Sequence, residues 1–315
     1  MLEMIIKAAR PNISDNSIKQ YMSSLRTLNG GSAVPINNVD FLKDFDVVME
    51  KLKEKKPTTI KNYMNAIIVV LGALKMDDVL IKQYEAVRDK LNGQYSEEQA
   101  THQKSEAQEK NWVDYDDYVK KVDELGERLD DVKKKAEWSN DDVRRFQEYL
   151  IAKLYTVYPL RNDYVMKVVS KAEFNKLSEK DKEQMNYLVV PSNGHTMFFV
   201  LNEYKTRRKY GEKRVFIMDA EVQKVLRLWL KRTSHSSLFV DPIKGFDKPA
   251  DSSTITKILT TMSKREFGGK SVGSSLLRHM YLSSKYADTV KEMEKDADMM
   301  GHSGGVQQTI YVKDD

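Results

Sequence analysis

The chain contains no cysteine, which removes disulfides, thiolate chemistry and the usual structural zinc sites from consideration. Nowhere do about 18 apolar residues run together, so no membrane span is expected. The opening MLEMIIKAARPNISDNS turns polar too soon for a secretory leader, and the expected location is intracellular, with no secretion. No G-x-x-x-x-G-K-[ST] occurs: Gly268-Gly269-Lys270-Ser271 lacks the leading glycine of a phosphate-cradling loop. Histidine is scarce, five in 315 residues, and no pair has zinc spacing. Asp114-Tyr115-Asp116-Asp117 lacks the glycine of a calcium loop. Neither a metal nor a nucleotide cofactor is therefore expected.

What the chain does have is charge. Charged residues make up 31% and hydrophobic residues 40%, enough for a core beneath a heavily ionised surface. The 52 basic and 47 acidic side chains leave a formal net charge of +5, a mild lean toward a polyanionic partner. The length suits two modest domains of roughly 150 residues each.

Residues 1–92 carry helical spacing. Ile18, Met22, Leu25 and Leu28 share one stripe, with Ser14 or Asp15 as its cap. Gly30, Gly31 and Pro35 end that helix. Phe41, Phe45, Val48 and Leu52 mark a second, and a third opens after Pro57 with Tyr63, Ile67, Val70 and Leu71. The segment 93–137 reads as a charged linker: polar at first, then an exposed helix with Val119, Val122, Leu125, Leu129 and Val132 as a narrow apolar stripe. In the last part, 138–315, Ser139 and Asp142 form a capping-box pattern ahead of Phe146, Leu150 and Leu154. Two apolar runs then flank Ser192-Asn193-Gly194-His195, a hairpin signal, and a third strand lies near 214–218. The expected fold is mainly α with a small antiparallel β-sheet, an α+β chain. It comprises a helical domain at 1–92, the linker at 93–137 and a mixed domain at 138–315.

Four separated segments stand out. They are Tyr158-Pro159-Leu160-Arg161, the basic run from Lys205 to Lys209, Ser275-Leu276-Leu277-Arg278-His279, and Met300-Gly301-His302-Ser303 with Tyr311 nine residues past His302. Singly, each has an ordinary explanation: a helix-end arginine, a solvated charge run, a chance triplet, a packing tyrosine. In order and spacing, however, they resemble the catalytic domain of the tyrosine recombinases, the integrase family. The resemblance covers residues 138–315 directly, and the helical part resembles that family's core-binding domain by pattern. PLRNDY at 159–164 and EKNWVDYDDY at 109–118 look most like integrases of large DNA viruses and virophages.

The resemblance implies site-specific cleavage and rejoining of double-stranded DNA through a 3′-phosphotyrosine, without ATP or metal. Tyr311 would be the nucleophile. Arg161 and Arg278 would fork onto the non-bridging phosphate oxygens, where permanent planar guanidiniums suit the developing charge. One such preorganised donor is typically worth about 3 kcal/mol. Lys205 would protonate the leaving 5′-oxygen, and His302 would hydrogen-bond the phosphate. Ser275 stands where the family usually has His or Lys, so it offers a hydrogen bond but no base. Lys53, Lys55, Lys56 and Lys61, with Arg207, Arg208 and Lys209, are the expected phosphate contacts, which position a duplex without reading its sequence. The family also implies a homo-oligomer, a tetramer on two sites, and no membrane partner. Two alternatives share the arginine clamp or the surface: a type IB topoisomerase-like nicking and closing enzyme, and a DNA-binding relative with weakened catalysis.

Overall fold

The computed structural model describes residues 2–31, 34–36, 38–192 and 194–307. The chain divides into two compact units, Met1–Lys104 and Ser105–Asp315.

The first unit is helical: α1 (Leu2–Ala9), α2 (Asp15–Leu28), a 3-10 turn (Asp40–Leu42), α3 (Phe45–Leu52), α4 (Pro57–Ala73) and α5 (Asp78–Ala100). Local chemistry sets the starts. The Ser14 hydroxyl accepts the Ser17 N–H at 3.1 Å, and the Asp44 carboxylate accepts that of Val47 at 3.1 Å. Pro57 opens α4, where its missing N–H would have had no helical partner. Met64, Ala66, Ile67, Val70 and Leu71 bury α4 on most of its circumference, making it the centre of this core. Tyr84 of α5 crosses the core and donates to the Leu42 carbonyl at 2.8 Å. α5 continues to Ala100, beyond the expected boundary at 92. Its last turns are exposed, so they carry no apolar stripe that a sequence reading could detect.

The second unit contains α6 (Glu106–Asn111), α7 (Tyr115–Glu127), α8 (Asp130–Lys134), α9 (Asn140–Val157), β1 (Met166–Ser170), α10 (Lys171–Lys176) and α11 (Glu179–Glu183). It continues with β2 (Asn186–Val190), β3 (Phe198–Leu201), α12 (Arg207–Tyr210), β4 (Lys213–Phe216), α13 (Ala220–Thr233), β5 (Val240–Asp241) and β6 (Gly245–Pro249). α14 (Ser252–Glu266), α15 (Ser274–Met300) and the short α16 (Gly304–Val306) follow. α9 is its axis. Ser139 and Asp142 cap it reciprocally, and Phe146, Leu150, Ile151, Leu154 and Tyr155 are fully buried. α7, α13, α14 and α15 all pack on it.

The main sheet has the order β1-β2-β3-β4. β2–β3 and β3–β4 are antiparallel, as expected, but β1 joins β2 in parallel, with Met166 opposite Asn186. The sheet is therefore mixed, not purely antiparallel. A parallel pair needs a crossover, and α10 with α11 supplies it. β5 and β6 form a separate antiparallel pair. Alternation divides the central strands between two cores: Leu188, Phe199 and Leu201 face the large one. Tyr187, Val189, Phe198 and Val200 face a small one closed by Phe174 of α10. Gly194, at φ +75°, supplies the positive dihedral of the β2–β3 turn; Asn193 lies outside the described residues.

Part of the expected linker belongs to the second core. Tyr118, Val122 and Val132 are fully buried and Leu129 nearly so, and the Tyr118 ring stacks on Phe267 at 5.2 Å. Gly126 explains the close packing, since a Cβ there would lie 2.8 Å from the Tyr149 ring. The charge that suggested solvation occupies the outer face of α7 alone. The unit boundary consequently falls at Lys104/Ser105, inside the segment read as a linker.

Candidate functional site

Arg161 follows α9, in an irregular loop that its own backbone holds in place. The Tyr155 hydroxyl, from the buried side of α9, donates to the Arg161 carbonyl at 2.7 Å. Asn162 donates from Nδ2 to the Thr256 hydroxyl of α14 at 2.9 Å. The Arg161 side chain is exposed, so the loop is anchored while the guanidinium is presented to solvent.

Arg278 lies on the second turn of α15, half-buried, with Nε donating to the Ser274 carbonyl at 3.3 Å. Among the described residues, neither its terminal nitrogens nor those of Arg161 have a hydrogen bond or an ion pair. Burial and then the positive charge of Arg161 lower the proton affinity of Arg278. Arg278 therefore lies within electrostatic reach of the Arg161 guanidinium. Asp163 sits beside them: burial raises its pKa, while Arg161 and Arg278 oppose the rise. Burial also raises Tyr155, opposed in part by a hydrogen bond with Ser274. Tyr155 therefore links the Arg161 loop to the head of α15.

Lys205 is exposed, in the turn beyond β3, since the strand itself stops at Leu201. The turn is built by Arg207 N–H donating to the Tyr204 carbonyl at 3.2 Å and by the Tyr204 hydroxyl donating to the Gly211 carbonyl at 2.7 Å. Its basic side chains are partly engaged: Arg207 pairs with Glu183 at 3.0 Å, and Lys209 lies 5.2 Å from the Tyr210 ring. Arg208 is exposed. In the first unit Lys53, Lys55 and Lys56 are exposed, Lys53 pairing with Glu50, and Lys61 sits over the Tyr95 ring at 4.6 Å.

Ser275 is exposed on the first turn of α15, one turn ahead of Arg278. His302 is placed elsewhere. Gly301 ends α15 at φ +73°, the left-handed conformation that glycine adopts without strain, and the His302 N–H donates back to the Ala297 carbonyl at 3.0 Å. α15 is unbroken over 27 residues, roughly 40 Å at 1.5 Å per residue. Arg278 and His302 stand near its opposite ends, so the arrangement brings Arg161 near Arg278, with Ser275 one turn ahead on α15, but leaves His302 most of a helix length away. Tyr311 lies outside the described residues.

Three positioning groups were missed in the sequence: Tyr155, Asn162 and Asn186. Tyr155 hides beside the apolar stripe of α9, and Asn186 is a lone polar residue heading the apolar run of β2. No protein-family model matches the chain, and no curated protein matches it. Among the described residues, no helix is long and apolar enough to cross a membrane.

Proposed function

We propose that the chain cleaves and rejoins double-stranded DNA as a tyrosine recombinase, with Tyr311 as nucleophile and neither ATP nor metal in the chemistry. The observation that carries the reading is the Arg161–Arg278 pair. Two guanidiniums from distant parts of the second unit share a site, with terminal nitrogens that no described residue engages. Like charges held together in this way cost free energy unless an anion joins them, and a phosphate diester is the anion that two planar donors fit. The phenol oxygen would bond to phosphorus as the bond to the 5′-oxygen breaks. Lys205 would give its proton to that oxygen, and the phenolic proton would pass to solvent.

A DNA substrate nicked near the cleavage site tests the reading. The wild type is expected to form a denaturation-resistant adduct, and Tyr311→Phe to abolish it with DNA affinity nearly unchanged. No adduct from the wild type overturns the proposal. The length of α15 adds a requirement: His302 meets an arginine pair only through a second copy of the chain or after α15 bends. Mixing Arg278→Ala chains with chains carrying His302→Ala and Tyr311→Phe separates these. Adduct returns in the mixture if a second copy completes the site, and stays absent if each chain folds back on itself. A type IB topoisomerase-like reading differs in partner use: it relaxes supercoils as a monomer and forms no junction between two duplexes.

A further inference from the structure

We infer that Asn186 is a positioning residue, the clamp that holds the Lys205 turn against the Arg161 loop. This rests on the strand-transfer reading, in which Lys205 is the general acid. Asn186 is the first residue of β2, 3% exposed, where the backbone ladder to β3 ends. Its amide carries the connection further. The Oδ1 atom accepts from the backbone N–H of Asn202 and of Glu203, each at 2.8 Å. The Nδ2 atom donates to the carbonyls of Asp163 and Glu203, each at 3.0 Å.

These four bonds use both acceptor positions and both donors that an asparagine side chain has. One end of the amide is fixed to the residue two past Arg161, the other to the residue two before Lys205. A buried amide satisfied in full admits one geometry, and a partly satisfied one is costly. Nothing else described fixes the Lys205 ammonium, which has no hydrogen bond or ion pair among the described residues. Its position follows from the turn, and the turn is held to the arginine loop by Asn186. Proton transfer requires the ammonium within about 2.6–3.2 Å of the leaving oxygen, so a small displacement of the turn removes general-acid assistance while the nucleophile and the guanidiniums stay in place.

Asn186→Asp keeps the shape but loses both donated bonds. The experiment compares adduct formation on two nicked duplexes: an ordinary phosphodiester, and one with sulfur as the 5′-bridging atom, whose thiolate leaves without a proton. Asn186→Asp is expected to slow the ordinary substrate at saturation by about 10²-fold, at the lower end of what general-acid assistance contributes. The sulfur substrate should be slowed less than about threefold, the same pattern as Lys205→Ala by the same logic. Equal slowing on both substrates, or none on either, overturns the inference. Should Asn186→Asp fail to fold, as judged by its melting curve, Asn186→Ser is read in its place by the same criterion. Failure of the parent reading looks different, because the wild type then forms no adduct on either duplex.

Discussion

The two ends of α15 are built on opposite principles. At its head, Ser274, Leu277 and Met280 are buried against the core, and Arg278 is fixed between Ser274 and the Tyr155 contact. From Leu282 onward the helix is mostly exposed, with Leu282, Tyr286, Met299 and Met300 open to solvent. Only Ala297 is buried again, near the C-terminal turn. The head is thus placed by folding, at the cost of holding two guanidiniums close together. Among the described residues, the far end is mostly exposed and closes on its glycine cap. Within one helix, then, the head bearing Arg278 is anchored in the large core while His302 follows a mostly exposed stretch.

Breaking the head should have the largest effect. On the proposed reaction, Arg278→Ala is expected to lower the rate of adduct formation by about 10²–10³, the loss of one preorganised donor. Its melting temperature should stay close to that of the wild type. A large fall in melting temperature with proportionate loss of rate would make this guanidinium structural instead.

The contrast in packing can be measured directly by urea unfolding. Leu277→Ala at the head should cost about 2–5 kcal/mol, the penalty for emptying a buried leucine site. Met299→Ala, on the exposed half and 79% exposed, should stay within about 0.5 kcal/mol. Similar costs at both positions would show that the two ends are packed alike and would end the comparison.

A smaller effect concerns Asp163. Burial raises its pKa in the folded state above the ordinary carboxylate value of 3.8. The folded chain therefore binds this proton more tightly than the unfolded chain does. The associated stability is fully present below pH 3.8 and is lost as pH rises through the folded value. Asp163→Asn should remove that slope and leave the chain at least as stable as wild type at neutral pH. Unfolding curves across the acid range check this; a variant that keeps the wild-type slope would assign it to another group.

Much of the fold was legible because its signals are short-range. Ser14, Pro57 and the Ser139–Asp142 pair start their helices through bonds that span three residues or fewer, and the stripe from Phe146 to Leu154 shows its period within one window. β1 escaped notice because five residues following an irregular loop carry little pattern, and its parallel pairing depends on a partner beyond two intervening helices. α7 was read as solvated because its outer face is charged, although Tyr118 and Val122 are fully buried. Of the candidate site, the residue types and their order were visible. The amide of Asn186 was not, since its four bonds reach two distant segments, at Asp163 and at Asn202–Glu203.

The sequence alone determined where several helices begin, which faces are apolar, and which basic, hydroxyl and imidazole groups the chain has to offer. Those properties are written in neighbouring residues, within reach of a single turn or strand. The tertiary structure decided the rest: that Arg161 and Arg278 share one site, that Asn186 joins the Arg161 loop to the Lys205 turn, and that an unbroken α15 carries His302 away from them. Such outcomes depend on which surfaces bury together over long loops, and no local pattern encodes that choice.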